Sequence, residues 1–498
     1  MNGATPTRRQ RIKLIAGRIY LCLFLVLFSL AMQAVVRRHP QPVLPDESEF
    51  IAALGFPRPY PVHAPGYPLW IALGTLAHAA GLDPYSAYRV WSLVACCLGP
   101  LVFYFSLTRR GHRDDPVVYT LALCMAANPL WCFHGATALN YSTAVLLSIP
   151  ILSLARRAIV AESMRPTWLA AVLLAVAAGL RFDMLLWFGP AVLFSAFATG
   201  WSPFVGKRRI PVRELVGTAA ILAAAAVGWT LVGRWLYSDA APPTIHHTLA
   251  VLRSTSVLER GFVNGLVRNL VKMTAYLGWG FGLASVPLIW ALYRLLFHDH
   301  VIVTNVGRPA SADRQPQASG SERGQEHASK LDLPADERPQ PLSNRAERRL
   351  RHVPDRSSLG TDKCTWRLAH DRNLRCFDLL VLLPLLLFQL FVHVTEAGHV
   401  LWYVPFGYAI LERELAFAFP WRLRPGPVFV PDRRPLLFLF VVFILSSFQF
   451  LAYPWSANVT GWRRTLNAKV AYLSGSGLMQ IDQRRAIHQP NDFWTVPP

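Results

Sequence analysis

The densest chemistry in this chain is the stretch Pro45-Asp46-Glu47-Ser48-Glu49-Phe50. Three carboxylates this close together can hold a divalent cation such as Mg or Mn, or one of them can act as a general base. Acidic clusters are also ordinary solvated loops, and spacing alone does not separate the two readings. The following residues favour the first. Gly55-Phe56-Pro57 leads through Arg58 to His63-Ala64-Pro65-Gly66-Tyr67-Pro68-Leu69-Trp70, with prolines at 57, 59, 61, 65 and 68. Each proline fixes its own φ and pushes the residue before it into extended backbone. A stiffened loop beside an acidic pair fits a pre-organised site better than a connector.

Other candidates lie further along. Arg181 follows Gly179-Leu180 and precedes Phe182-Asp183. It is suited to a phosphate or to supporting the site, and equally to an ion pair with Asp183 or to snorkelling toward headgroups. His246 and His247 share a long loop with Arg253. The segment His393-Val394-Thr395-Glu396-Ala397-Gly398-His399 offers two imidazoles and a carboxylate. Its spacing is not HExxH, in which both histidines face one side of a helix, so a zinc set is disfavoured. Hydrogen bonding at a helix end, or contact with an anionic substrate, fits it better. Asp114-Asp115 lies beside Arg113 and reads as a solvated turn, and Asn458-Val459-Thr460 fits a glycan acceptor pattern.

The elements that must position these residues are membrane helices. Of 498 residues, 53% are hydrophobic and 16% charged. The apolar residues gather into blocks long enough for hydrocarbon, which takes roughly 20 residues per helix. A backbone in lipid must satisfy its own polar groups, so such blocks are helices. Candidate spans are 14–36, 86–107, 117–134, 139–155, 167–181, 184–200, 214–237, 267–297, 377–395, 399–417 and 435–453, about eleven crossings in an all-α polytopic bundle. Their middles carry almost no charge.

The formal net charge is +21. Nucleic acid is excluded as the reason, because the cations sit in short loops. Arg109, Arg110 and Arg113 share one side with Arg156, Arg157 and Arg165, with Lys207, Arg208, Arg209 and Arg213, and with Arg422, Arg424, Arg433 and Arg434. That is a positive-inside pattern with a cytoplasmic N-terminus. The 37–85 loop then faces the exoplasm, and its piece Pro68–Gly81 is apolar but too short to span. It belongs in the interface, or re-enters against the bundle.

Arg8, Arg9, Arg11 and Lys13 precede an apolar run longer than the core of a signal peptide, which reads as a retained first helix. The seven cysteines form no paired motif. The chain divides into 1–297, a membrane region holding the first loop; 298–375, a polar cytoplasmic stretch expected to be disordered; 376–453, C-terminal membrane helices; and 454–498, a tail of aromatics and cations suited to the headgroup layer.

An acidic pair after the first span, then Phe56-Pro57 and His63-x-Pro65-Gly66-Tyr67-Pro68-Leu69, then a helix ending in Arg109-Arg110, resembles the GT-C superfamily of integral-membrane glycosyltransferases. Relatives in that group include protein O-mannosyltransferases and the aminoarabinose transferases of lipid A. The resemblance covers residues 14–200 best and reaches the His393–His399 segment and Tyr403-Val404-Pro405, where a clear Arg-Tyr pair is missing. It implies an exoplasmic site and a sugar donor on polyprenyl phosphate. The acceptor is then a hydroxyl of a glycan, lipid or protein, and the anomeric centre inverts. Asp46 matches the position of the base, with Glu47 adjacent. Glu49, Arg58, His63, Tyr67, Arg181, His246, His247, His393, Glu396 and His399 are the expected substrate contacts. The setting implied is a bacterial inner or plasma membrane and work on the cell envelope. A transporter or flippase of lipid-linked saccharides, and an envelope polymerase or ligase of another fold, are the competing classes; the first places ionisable groups near the midplane.

Overall fold

The computed structural model describes residues 8–36, 45–55, 67–107, 116–200, 211–236, 257, 261–281, 284–297, 359–392, 397–418 and 441. Every regular element among them is helical. In chain order these are α1 (Arg8–Val36), α2 (Pro45–Gly55), α3 (Pro68–Ala79), α4 (Pro84–Leu107), α5 (Pro116–Ala126), α6 (Pro129–Gly135) and α7 (Tyr141–Ala161). Then come α8 (Met164–Ala177), α9 (Asp183–Gly200), α10 (Val212–Leu236), α11 (Phe262–Phe281), α12 (Ser285–Phe297), α13 (Leu359–Leu387) and α14 (Tyr403–Ala418).

Five helices are long and apolar enough to cross a membrane: α1 over Ala16–Ala34, α4, α7, α10 and α13 with its extension to Val392. The bent pair α5 and α6, at 54° to each other, makes a sixth if taken as one span. The expectation of about eleven crossings therefore stands reduced among the described residues. Expected spans 167–181 and 184–200 fall on the shorter helices α8 and α9, 267–297 divides into α11 and α12, and 435–453 lies outside the described residues save 441. The first loop contains two helices, α2 and α3. The polar stretch expected to be disordered up to residue 375 is already helical from Leu359. Its Leu, Lys, Arg and Ala are good helix formers, and a helix entering a membrane extends readily past its apolar part.

Helices α4 and α7 run parallel and form the centre. Ser92 donates to Leu139 O at 2.8 Å near the start of both, and Arg157 donates to Phe105 O and Ser106 O at 3.3 Å near their other end. Pro100 sits inside α4 and has no N–H for the carbonyl of Cys96, four residues earlier. The indole of Trp131 fills that vacancy, donating to Cys96 O at 2.9 Å. Its ring lies where a Cβ on Gly99 would be, 2.1 Å away, so glycine is required there. Gln33 of α1 donates to Cys132 O and Cys96 Sγ, both at 2.9 Å, and ties the first span to the same point.

At the break between α5 and α6, Asn128 caps the start of α6. Asn128 Oδ1 accepts from Leu130 N and Trp131 N at 3.0 and 3.3 Å, and its Nδ2 donates to Gly280 O at 2.7 Å. This is an N-cap that also docks the end of α11. Outward faces are apolar: Ile19, Tyr20, Leu23, Phe24 and Leu27 on α1, and Val216, Val227, Leu231 and Trp235 on α10, are exposed. Such faces suit a bilayer as partner.

The C-terminal helices carry buried charge toward their ends. Arg413 of α14 is 1% exposed, and Glu414 and Glu412 beside it are buried. Arg413 donates to Asp378 of α13 and, at 2.9 Å, to Glu414, which also accepts from Arg294 of α12 at 3.2 Å. An isolated charge in this setting is costly, but a closed cluster with its hydrogen bonds met is tolerated. Replacing Arg413 with Met should leave Asp378 without its cation and Glu414 with Arg294 alone, and cost about 3–5 kcal/mol. Thermal unfolding in detergent reads this out, and a melting temperature equal to the parent's would show that the cluster does not hold α13 and α14 together.

Candidate functional site

The site is built on the turn from His134 to Tyr141, which joins α6 to α7 at the end of the bundle where α4 begins. Thr137 Oγ1 and Ser142 Oγ both donate to His134 O, at 3.1 and 3.3 Å, and close the turn on itself. The loop between α8 and α9 comes to the same place. Asn140 Nδ2 donates to Leu180 O at 2.7 Å, and Leu69 N of α3 donates to Gly179 O at 2.9 Å. Three separate stretches of chain are thus held by backbone groups that have no helical partner of their own.

Glu47 is fully buried, and its Oε1 accepts from Ala138 N at 2.5 Å. This bond fastens α2 on the 134–141 turn. Tyr85 lies within its electrostatic reach. Phe50, one turn on from Glu47, packs against Tyr67, Trp70 and Tyr88 with ring centroids 5.5, 6.4 and 5.6 Å away. This aromatic cluster fixes α2 and α3 against α4. Asp46 and Glu49 belong to α2, with side chains outside the described residues.

Arg181 is buried and fully engaged. It pairs with Asp183 at 2.8 Å and donates to Asn140 Oδ1 at 3.3 Å. Its guanidinium lies 4.2 Å over the ring of Tyr141, with Tyr67 at 5.9 Å and Trp187 at 5.7 Å. Burial disfavours its charge, but Asp183, Tyr141 and Tyr67 together outweigh this and keep its pKa well above the ordinary value. Of the readings open for Arg181 in the sequence, the ion pair with Asp183 is the one seen here.

Tyr141 is the hub. His134 stands 5.2 Å from it and His399 5.7 Å, centroid to centroid. A Cβ on Gly398 would come within 2.4 Å of the Tyr141 ring, so the short 3-10 turn Ala397–Val400 meets it closely. Gln389, in the π-helical turn Phe388–Val392 that ends α13, donates to His399 O. Irregular turns of that kind free carbonyls from the helix ladder. Leu390 O and Phe391 O accept here from Asn269 and Val257, at 2.9 and 3.2 Å.

Of the residues expected from sequence, the structure brings together Glu47, Tyr67, Arg181 and His399. Arg58, His63, His246, His247, His393 and Glu396 lie outside the described residues. His134, Asn140, Tyr141 and Asp183 are the members that the sequence reading did not assign. His134 is fully buried, and neither ring nitrogen meets a hydrogen-bond partner among the described residues. An unmet buried polar atom costs about 1–3 kcal/mol. His134-Gly135-Ala136-Thr137-Ala138-Leu139-Asn140-Tyr141 is a polar interruption between two apolar helices, and that was the available signal. No group of three or more His, Cys, Asp and Glu among the described residues is placed to hold a metal ion.

Comparisons with family models, with curated proteins and with solved structures give no match.

Glu47→Ala should leave the buried Ala138 N–H unmet and cost about 1.5–3 kcal/mol. Glu47→Gln keeps an acceptor oxygen and should lose less. Hydrogen exchange across residues 136–140 should quicken in the Ala variant, and unchanged exchange there would contradict the role given to Glu47.

Proposed function

We propose that this chain is a membrane glycosyltransferase of the GT-C type. It moves a sugar from a polyprenyl-phosphate donor to an acceptor hydroxyl on the exoplasmic side of a bacterial envelope membrane, using some eleven spans overall. The observation that carries the reading is the meeting at one end of the bundle of the acidic helix α2, the Tyr67 end of the proline-rich segment, and a buried Arg181. These are three separate features of the sequence pattern, and they converge on a single turn.

In this reading Glu47 locks α2, and Asp46, its neighbour on the helix, is the base. Asp46 takes the proton of the acceptor hydroxyl, the hydroxyl oxygen attacks C1 from the face opposite the leaving group, and the lipid phosphate departs with the bonding pair. Inversion follows from that geometry. The growing charge on the phosphate calls for a nearby positive field. Arg181 supplies part of it, although Asp183 offsets much of its charge. Arg58 and the histidines at 63, 246, 247 and 393 are the remaining candidates for donor contacts. A divalent cation would be held by the first-loop carboxylates Asp46, Glu47 and Glu49.

A transporter of lipid-linked saccharides is the second reading, and the buried Asp378–Arg413–Glu414–Arg294 cluster favours it, because ionisable groups inside spans mark transport paths. Against that, its members pair with one another and lie toward the ends of α12 and α14, not at their middles.

Asp46→Asn should abolish sugar transfer while the protein is still inserted and still co-purifies with its donor lipid. Mass spectrometry of lipid extracted from the pure protein, with a membrane transfer assay, tests both parts. Full transfer by the Asn variant would remove Asp46 as base. Saccharide flux in proteoliposomes without covalent product would replace the transferase by the transporter.

A further inference from the structure

We propose that Arg89 binds a phosphate ester carried by a membrane lipid, at the end of the bundle that holds α2 and the 134–141 turn. The inference goes beyond the transferase reading and does not need it. Arg181, Arg294 and Arg413 each meet a carboxylate. Arg89, near the start of α4, meets none among the described residues. It is half-buried, its guanidinium lies 4.8 Å over the ring of Tyr85, and its Nε is sealed from solvent without a hydrogen-bond partner. The ring and the sealed Nε fix one side of the guanidinium, which leaves the terminal nitrogens as its open end. A guanidinium cannot shed its proton to escape this setting, so an anion is the partner it lacks.

Position and geometry select the ligand. Tyr85, Arg89, Ser92 and Cys96 recur on one face of α4 by helical spacing. Ser92 reaches Leu139 O of the turn, and Cys96 accepts from Gln33 near the end of α1. Tyr85 lies within electrostatic reach of both Arg89 and Glu47 of α2. Arg89 is therefore turned toward the junction of α1, α2 and the turn. It is also at the right depth. A 24-residue α4 is longer than the hydrocarbon it crosses, and Arg89 lies about 7–8 Å from its first residue. That is the level of lipid headgroups, where the abundant anion is phosphate. Two parallel N–H donors of a guanidinium match two phosphate oxygens, which a single ammonium does not.

The test uses the full-length protein and native mass spectrometry with undecaprenyl phosphate, phosphatidylglycerol and diacylglycerol, the last lacking a phosphate. Wild-type protein should bind at least one phosphate lipid more tightly than diacylglycerol. Arg89→Gln should weaken that lipid about tenfold and leave diacylglycerol within about twofold. Arg89→Lys keeps the charge without the fork and should recover part of the loss; it carries the comparison against wild type if the Gln variant does not fold. Without added lipid, Arg89→Gln should melt no lower than the parent, and it should lose the upward shift that the phosphate lipid gives the parent. A loss confined to undecaprenyl phosphate assigns the site to a lipid-linked donor, and a loss that includes phosphatidylglycerol assigns it to bilayer lipid. Unchanged binding, equal weakening of diacylglycerol, or a lower melting temperature with the lipid shift intact overturns the proposal. Each of these is read without a transfer assay, so the transferase reading stands or falls separately.

Discussion

The hydrogen bond from Ala138 N to the buried carboxylate of Glu47 is the contact on which the site's arrangement depends. A helix pair such as α6 and α7 cannot be joined without leaving backbone donors and acceptors between them. In a bundle that excludes water these groups must be met by the chain itself. Glu47 meets Ala138 N and Ser92 meets Leu139 O, while the Asn140 side chain of the turn reaches out to Leu180 O of the α8–α9 loop. The need to satisfy one short turn therefore draws α2, α4 and the α8–α9 loop to a single point. The acidic helix of the first loop is positioned by what the 134–141 turn lacks.

The same principle organises the opposite part of the molecule with charges in place of backbone groups. Arg413 is acceptable inside the bundle because Asp378 and Glu414 surround it, and Glu414 because Arg294 closes the other side. Helices α13 and α14 are consequently tied twice, through Arg413–Asp378 and through Gln389–His399 O. About 14 residues of chain separate Arg413 from His399, and a helix rises about 1.5 Å per residue. The two ties act on α14 from far-apart points, one of which is the wall of the candidate site.

Breaks in regular structure are where the polar contacts fall. Pro100 frees a carbonyl that Trp131 takes, and the α5–α6 bend exposes ends that Asn128 caps. The π-helical turn after α13 releases carbonyls that Asn269 and Val257 reach. Each irregularity is also a junction between distant parts of the chain. His134 departs from this pattern. Its nitrogens alone, among the polar groups of the site turn, are sealed and unmatched.

Apolar block length determined that the chain is helical and suited to a membrane, because roughly 20 residues are needed to span hydrocarbon whatever their order. Residue type and proline spacing marked Glu47, Tyr67, Arg181 and His399, since carboxylates, guanidinium and imidazole are rare and conspicuous in apolar sequence. Sequence could not tell that Glu47 is an anchor, that Arg181 is paired with Asp183 and Asn140, or that the Glu412–Glu414 run lies inside the bundle. Those facts depend on which backbone groups and charges from far-apart positions meet, and on how much water is left between them. Tertiary packing settles this, because the free energy of a polar group in an apolar interior is set by the partners that meet it and by how far water is excluded.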